Sequence, residues 1–279
     1  LQTAAGPFNW GDSPNWSGGT IADGADSTAY FTANITAAQT VNLDTARTIG
    51  NITGNNTGNT NTAANWTISS ATNALTLDNG ASSATIANNN NAVSPLTVDT
   101  DLVLNSNLVI NATGNNGATI TLGATGTTHQ ITGAKDIAIN SFSTTGNGAI
   151  TINNAINTSG SIANSITGTA NPGTVTINGI IGANVTGVTA SSTGGSSLVL
   201  TANNAYTSAT TVGTAGSAAK GGTLTVSSCG RTANNTVLNV GTGCPRWNDV
   251  FGCLRGNDDA GEGECAANGL ASTVALTAT

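Results

Sequence analysis

The sequence predicts an all-β protein, a parallel β-helix (β-solenoid) of about eight coils with capped ends, and three observations carry that prediction. The first is composition. The 279 residues include 49 Thr, 38 Asn and 36 Gly, no Met and only 7% charged residues. The usual helix formers Glu, Lys, Gln, Arg and Met are scarce, while β-branched Thr, Val and Ile abound. The second is recurrence: short runs alternating Thr with an aliphatic residue return at intervals of about 20–30 residues. The third is that both ends of the chain depart from this pattern.

The predicted strands, in order, are Thr40–Leu43, Ala74–Leu77, Leu96–Val98, Ala118–Leu122, Ala149–Ile152, Thr174–Ile177, Leu198–Leu200 and Thr223–Val226. Alternation with period two marks a strand with one buried face, and Gly or Pro before several runs marks the turns. One such strand per unit cannot bury its own apolar face, but stacked coils share a continuous core. Asn clusters such as Asn88–Asn91 suit the corners, because Asn tolerates the left-handed conformation. Stacked Asn and Thr can also form ladders along the axis. Eight coils at about 4.8 Å each give a rod roughly 40 Å long. A β-sandwich would show strands every 8–12 residues or so and a more aromatic core. A disordered chain would scatter its 38% of hydrophobic residues.

Three segments follow. Residues 1–35 hold Phe8, Trp10, Trp16, Tyr30 and Phe31, half of all aromatics, and read as a cap over the first coil. Residues 36–226 are the solenoid. Residues 227–279 hold all four cysteines and both glutamates, and end in an alternating run over 271–279 that reads as a strand.

Two stretches resemble the autotransporter-associated β-strand repeat proteins of Gram-negative and related bacteria. Phe8-Asn9-Trp10, Asn15-Trp16-Ser17-Gly18-Gly19, Asp26-Ser27 and Phe31 look like the opening of such proteins. Leu198 to Val212, with Asn203-Asn204-Ala205-Tyr206-Thr207, and then Gly221 to Val226, look like the repeat itself. Ser208 stands where the repeat commonly has Gly. The resemblance covers about 30 residues at each place. It implies a secreted, right-handed β-helix with adhesive or structural work, and it does not imply a catalytic site. No C-terminal membrane barrel is read within these 279 residues, and the cysteine-containing tail is foreign to the repeat.

Charge excludes some partners. Six cations against 13 acids, a net charge of -7, cannot build the basic stripe that nucleic acid requires. No apolar run approaches the length of a spanning helix. The start of the chain has no charged or apolar leader, which fits either a mature chain after signal removal or an intracellular protein, and poverty in Lys and Glu favours an extracellular or cell-surface location.

Candidate chemistry is sparse. Asp99 and Asp101 lie two apart on an expected strand, as a glycosidase pair or metal site would, but no His or basic partner is near them in sequence. The single histidine, His129, reads as a loop or strand-edge residue. Asp258, Asp259, Glu262 and Glu264 put four carboxylates on a Gly-spaced loop. That pattern suits calcium, and it equally suits a solvated acidic loop. Cys229, Cys244, Cys253 and Cys265 lack a Cys-x-x-Cys pair, so two disulfides are favoured over zinc. Three connectivities stay open, sequential pairing being the favoured one. Thr-x-Thr pairs suggest a hydroxyl array as in ice-binding solenoids, with the varying coil length expected to break its lattice.

The expected function is therefore structural rather than enzymatic: copies of the chain assemble through the solenoid ends into a filament or surface layer. Phe8, Trp10, Trp16, Phe31, Val274 and Leu276 are the expected interface. The alternative is an adhesin-like rod that binds a glycan or host surface, and the third reading is a polysaccharide-degrading β-helix. No cofactor other than calcium is expected.

Overall fold

A computed structural model of the chain describes residues 6–54, 64–89, 94–113, 118–141, 148–165, 173–191, 196–212, 223–226, 238–240, 265–267, 270–272 and 276–278. It is an all-β solenoid whose coils stack as parallel sheets. The first face has nine strands in chain order: Phe8–Asn9, Gln39–Asn42, Trp66–Ser69, Leu96–Asp99, Thr119–Leu122, Ala149–Ile152, Thr174–Ile177, Ser197–Leu200 and Thr223–Val226.

The other two faces share one sheet, because the strand Arg47–Gly54 runs through a corner. Its first half starts a ladder through Leu75–Leu77, Leu102–Leu104, Gln130–Gly133 and Ala155–Thr158. Its second half starts another, through Ala84–Asn88, Leu108–Ala112, Ile137–Ser141, Ser161–Asn164, Gly187–Ala190, Thr210–Val212, Leu238–Val240 and Leu276–Ala278. Gly24–Phe31 lies beyond Arg47–Gly54 as the first rung of this sheet.

Each complete turn is thus three-sided. The stack comes to about six turns in which all three faces carry a strand or bridge, the last through Ile156 and Ile181, against the eight coils expected. The difference arises because the expectation counted one strand per unit. The later rungs lack a second-face strand among the described residues.

Register explains the core. On the first face Phe8, Val41, Ile68, Val98, Leu122, Ile152, Ile177, Leu200 and Val226 form one column. Its members from Ile68 to Leu200 are at most 1% exposed. On the third face Ile52, Ile86, Ile110 and Ile139 stack likewise. A one-residue slip would turn every one of these to solvent, so burial pins the register.

Outward on the first face stand Thr40, Thr67, Thr97, Thr121, Thr151 and Thr176, then Val199. The coil-length variation expected to spoil this column does not. Register partners lie from 23 to 33 residues apart, and the surplus is taken up between strands.

The corners use the Asn, Ser and Thr that the composition supplies. Thr100 Oγ1 donates to the Asn73 carbonyl at 2.5 Å, and the Ser94 hydroxyl donates to the Ala64 carbonyl. Asn88 Nδ2 donates to Ser94 and Thr119 carbonyls at 2.9 and 2.8 Å. Corner carbonyls, and that of Thr119 at the start of its strand, are satisfied in this way, as burial demands. Outside, Asn140 donates to Asn111 at 2.8 Å, Asn178 to Asn153 at 2.9 Å and Asn157 to Gln130 at 2.7 Å, each bond joining neighbouring coils.

Tyr206, in the repeat-like segment, is fully buried with its hydroxyl 2.9 Å from Thr210 Oγ1. Burial raises its pKa above the ordinary 10.0, against the opposing pull of that hydrogen bond. Above pH 10 the unfolded chain loses this proton while the folded protein keeps it. Stability therefore falls as pH rises past about 10. Tyr206→Phe should lower stability by about 1 kcal/mol at neutral pH. It should also flatten the alkaline decline, which urea unfolding at about pH 8 and about pH 11 would measure.

Candidate functional site

The N-terminal end of the stack is the most elaborated region. Trp10 follows the Phe8–Asn9 rung and turns inward, anchored by its N–H on the Asn42 carbonyl at 2.8 Å. Its ring lies 5.1 Å from Trp16 and 5.9 Å from Phe31, and Phe31 lies 5.4 Å from Trp66. Tilted and edge-to-face rings at these separations gain beyond their area. The indoles are tied as well: Trp10 Nε1 donates to the Ala22 carbonyl at 2.8 Å, and Trp16 Nε1 to the Trp10 carbonyl at 2.6 Å. Trp10 and Phe31 are buried, so neither presents surface to a neighbour, while Phe8 and Trp16 are half-buried.

A charged latch holds this end to the next coil. Arg47 Nη1 meets Asp23 at 2.8 Å, Nη2 meets Asp44 at 3.5 Å, and Asp44 also accepts the Gly11 amide at 3.0 Å. The Arg47 side chain is only 11% exposed. Sequence reading missed it because Asp23 and Gly11 are far from Arg47 in the chain, although Asp44 is three residues away. Trp66 was missed for a similar reason: it belongs to the aromatic cluster but lies outside residues 1–35.

The strand edges at this end are Phe8–Asn9 and Gly24–Phe31, each paired on one side only among the described residues. Asp26, with φ +63°, interrupts the pairing of Gly24–Phe31, which resumes from Thr28 to Phe31. Tyr30 projects from that regular part, 58% exposed. At the other end Thr223–Val226 and Leu276–Ala278 are likewise paired on one side. Leu276 is therefore in a strand on the chain's own stack. Cys265 begins a strand, Cys265–Ala267, antiparallel to Leu270–Ser272. Cys229, Cys244, Cys253, Asp258, Asp259, Glu262, Glu264 and Val274 lie outside the described residues.

Asp99 and Asp101 are not on one strand face. The strand ends at Asp99, Thr100 is buried at the corner, and Asp101 stands beyond it. A histidine is close to both after all. His129 Nε2 is 3.5 Å from Asp99 and Nδ1 is 3.5 Å from Asp101. The coil brings them together from about 30 residues apart, which sequence proximity could not show. Both carboxylates already accept backbone amides of the next coil, Ala124 at 2.7 Å and Gln130 at 2.8 Å, so their evident work is to join coils. Among the described residues no three His, Cys, Asp or Glu side chains are grouped to hold a metal. No helix among them is long and apolar enough to cross a membrane.

No protein-family model, curated protein or solved structure matches this chain.

Proposed function

We propose that this chain is an extracellular structural rod whose copies assemble end to end into a filament or a surface layer. The observation that supports the reading is a pair of strand edges at each end with no second neighbour among the described residues. Phe8–Asn9 and Thr28–Phe31 open one end, and Thr223–Val226 and Leu276–Ala278 open the other. Both ends expose edges of the same two sheets. A strand from one copy can therefore continue the parallel ladder of the next. Such a head-to-tail contact does not close and propagates. Tyr30 adds apolar surface beside the edge, whose pairing is interrupted by the irregularity at Asp26.

Poverty in charge and the resemblance of residues 198–226 to autotransporter-associated repeats support the extracellular placement. Electron microscopy of the purified, unreduced chain should show regular filaments or sheets. Thr28→Lys with Tyr30→Lys puts two cations on the edge and should leave dispersed particles with an unchanged circular dichroism spectrum. Dispersed rods from the parent chain would overturn the proposal.

A further inference from the structure

We propose that the outer surface of the first face binds ice, a function that a single rod can perform and that does not rest on end-to-end assembly. Its basis is a column of consecutive threonines, Thr40, Thr67, Thr97, Thr121, Thr151 and Thr176, each half-buried and each in register with the next. No register shift interrupts these pairings, so the column runs straight for about 24 Å at about 4.8 Å per rung. Strand propensity alone does not produce it. Outward on the third face stand Asn51, Thr85, Val109, Ala138 and Ala163. The second face has Thr48, Thr76, Val103, Thr132 and Asn157. Composition and strand geometry are shared by all three faces, yet among the described residues the unbroken threonine column is confined to one.

The hydroxyls of this column are unspent. Corner threonines use theirs on the fold: Thr158 Oγ1 donates to the Lys135 carbonyl at 2.6 Å, as Thr100 does to Asn73. On the face, Thr67 Oγ1 accepts one long bond from Asn65 Nδ2 at 3.5 Å. The hydroxyls of Thr40, Thr97, Thr121, Thr151 and Thr176 bond to no described residue and are left to water. Each threonine also carries a methyl beside its hydroxyl. Branching at Cβ restricts χ1, so both groups are held in a repeating pattern before anything binds. Little side-chain entropy is then lost when water orders against them.

Charge and shape select the partner. The outward residues of these six strands include a single charge, Asp99, and that carboxylate already accepts the Ala124 amide at 2.7 Å and lies 3.5 Å from His129. A polyanion or a charged mineral finds no counter-charge there. No aromatic ring is among them to stack against a sugar. The complementary surface is neutral, extended and periodic, and its repeat lies near the strand spacing. Ice meets each condition: its surface oxygens recur at nearly that interval along one lattice direction. They bond to the hydroxyls while the methyls occupy the hollows between them. Val199, next in the column after Thr176, keeps the branched shape without the hydroxyl and marks the limit of the array.

The test uses the full chain carrying Thr28→Lys and Tyr30→Lys, so that copies stay apart. Ice is grown slowly from its solution in the presence of serum albumin as a carrier that ice rejects. The chain should concentrate in the ice while albumin stays in the liquid, and single crystals in its solution should grow faceted. Adding Thr121→Lys with Thr151→Lys should lower the fraction taken up about tenfold or more, because two long charged side chains hold the face off the lattice. Val109→Lys with Ala138→Lys puts the same charge on adjacent rungs of the third face and should leave uptake unchanged. Both pairs are compared at an unchanged circular dichroism spectrum. Exclusion of the dispersed chain from ice, along with the albumin, would overturn the proposal whatever the variants do. So would full uptake by the Thr121 and Thr151 pair, or equal loss in both pairs. Retention on crystalline cellulose or chitin with exclusion from ice would overturn it too, and would assign the face to a glycan. None of these outcomes bears on filament formation, which is read from the parent chain.

Discussion

Gly133→Ala should destabilise the solenoid by about 4 kcal/mol. Two independent costs combine there. Gly133 has φ +118°, a region that side chains rarely enter. A Cβ at this position would also overlap the carbonyl oxygen of Leu104, its register partner on the preceding coil. The overlap cannot be relieved by a rotamer, because the obstructing atom is backbone in a ladder about 4.8 Å in repeat. Gly187 is the matched control. It too lies in a strand, but its Cβ would first meet the Ala209 carbonyl at 3.7 Å, an ordinary contact. Gly187→Ala should change stability by less than about 1 kcal/mol. Urea midpoints measured with unchanged slope would decide it, and equal effects at the two positions would refute the account.

That contrast shows what the sequence could and could not convey. The first face was legible because Thr alternates with Ile, Val or Leu in most of its rungs, and seven of those runs are first-face strands. Trp66–Ser69 escaped because Trp-Thr-Ile-Ser carries a single aliphatic residue. Its place in the expected series was taken by the run at Leu75–Leu77, which belongs to the second face. The third face escaped because Ala and Asn dilute its apolar signal, as in Ala84–Asn88 and Ser161–Asn164. There an inward residue can be polar where a neighbouring coil satisfies it: Asn164, in register with Ile139 of the preceding coil, donates to the Ser196 hydroxyl at 3.2 Å.

The candidate sites were legible only where they are local. The N-terminal aromatics announce a cap within 35 residues. What the cap needs from farther away, Trp66 and Arg47, arrives through stacking, and so does the approach of His129 to Asp99 and Asp101. In a solenoid, neighbours in space are one coil apart in sequence. The coil is 24 residues long from Val98 to Leu122 and 30 from Ile120 to Ile150, so no fixed offset reveals them.

Trp10→Ala should cost about 3–5 kcal/mol and unravel the stack from one end. Trp10 is 0% exposed, packs against one ring tilted and another edge-to-face, and its main-chain carbonyl receives the Trp16 indole, so truncation opens a cavity beneath the cap. Stability in a stacked array is a sum of coil terms and interfaces between neighbours, and a terminal coil has only one interface. The loss should therefore stay near the end where it is made. Hydrogen exchange should speed up in Gly24–Phe31 and Gln39–Asn42 while Ala149–Ile152, more than three rungs away, keeps its protection. Trp16→Ala, made at a half-buried ring, should loosen the same strands by a smaller factor. Equal loss of protection in the central and terminal rungs would show one all-or-none unit instead, and would remove the argument that the cap acts locally. If the end does fray, its freed edges should change filament growth in the parent chain at that end alone. The mechanical role of the cap and the assembly edge would then be two properties of one coil.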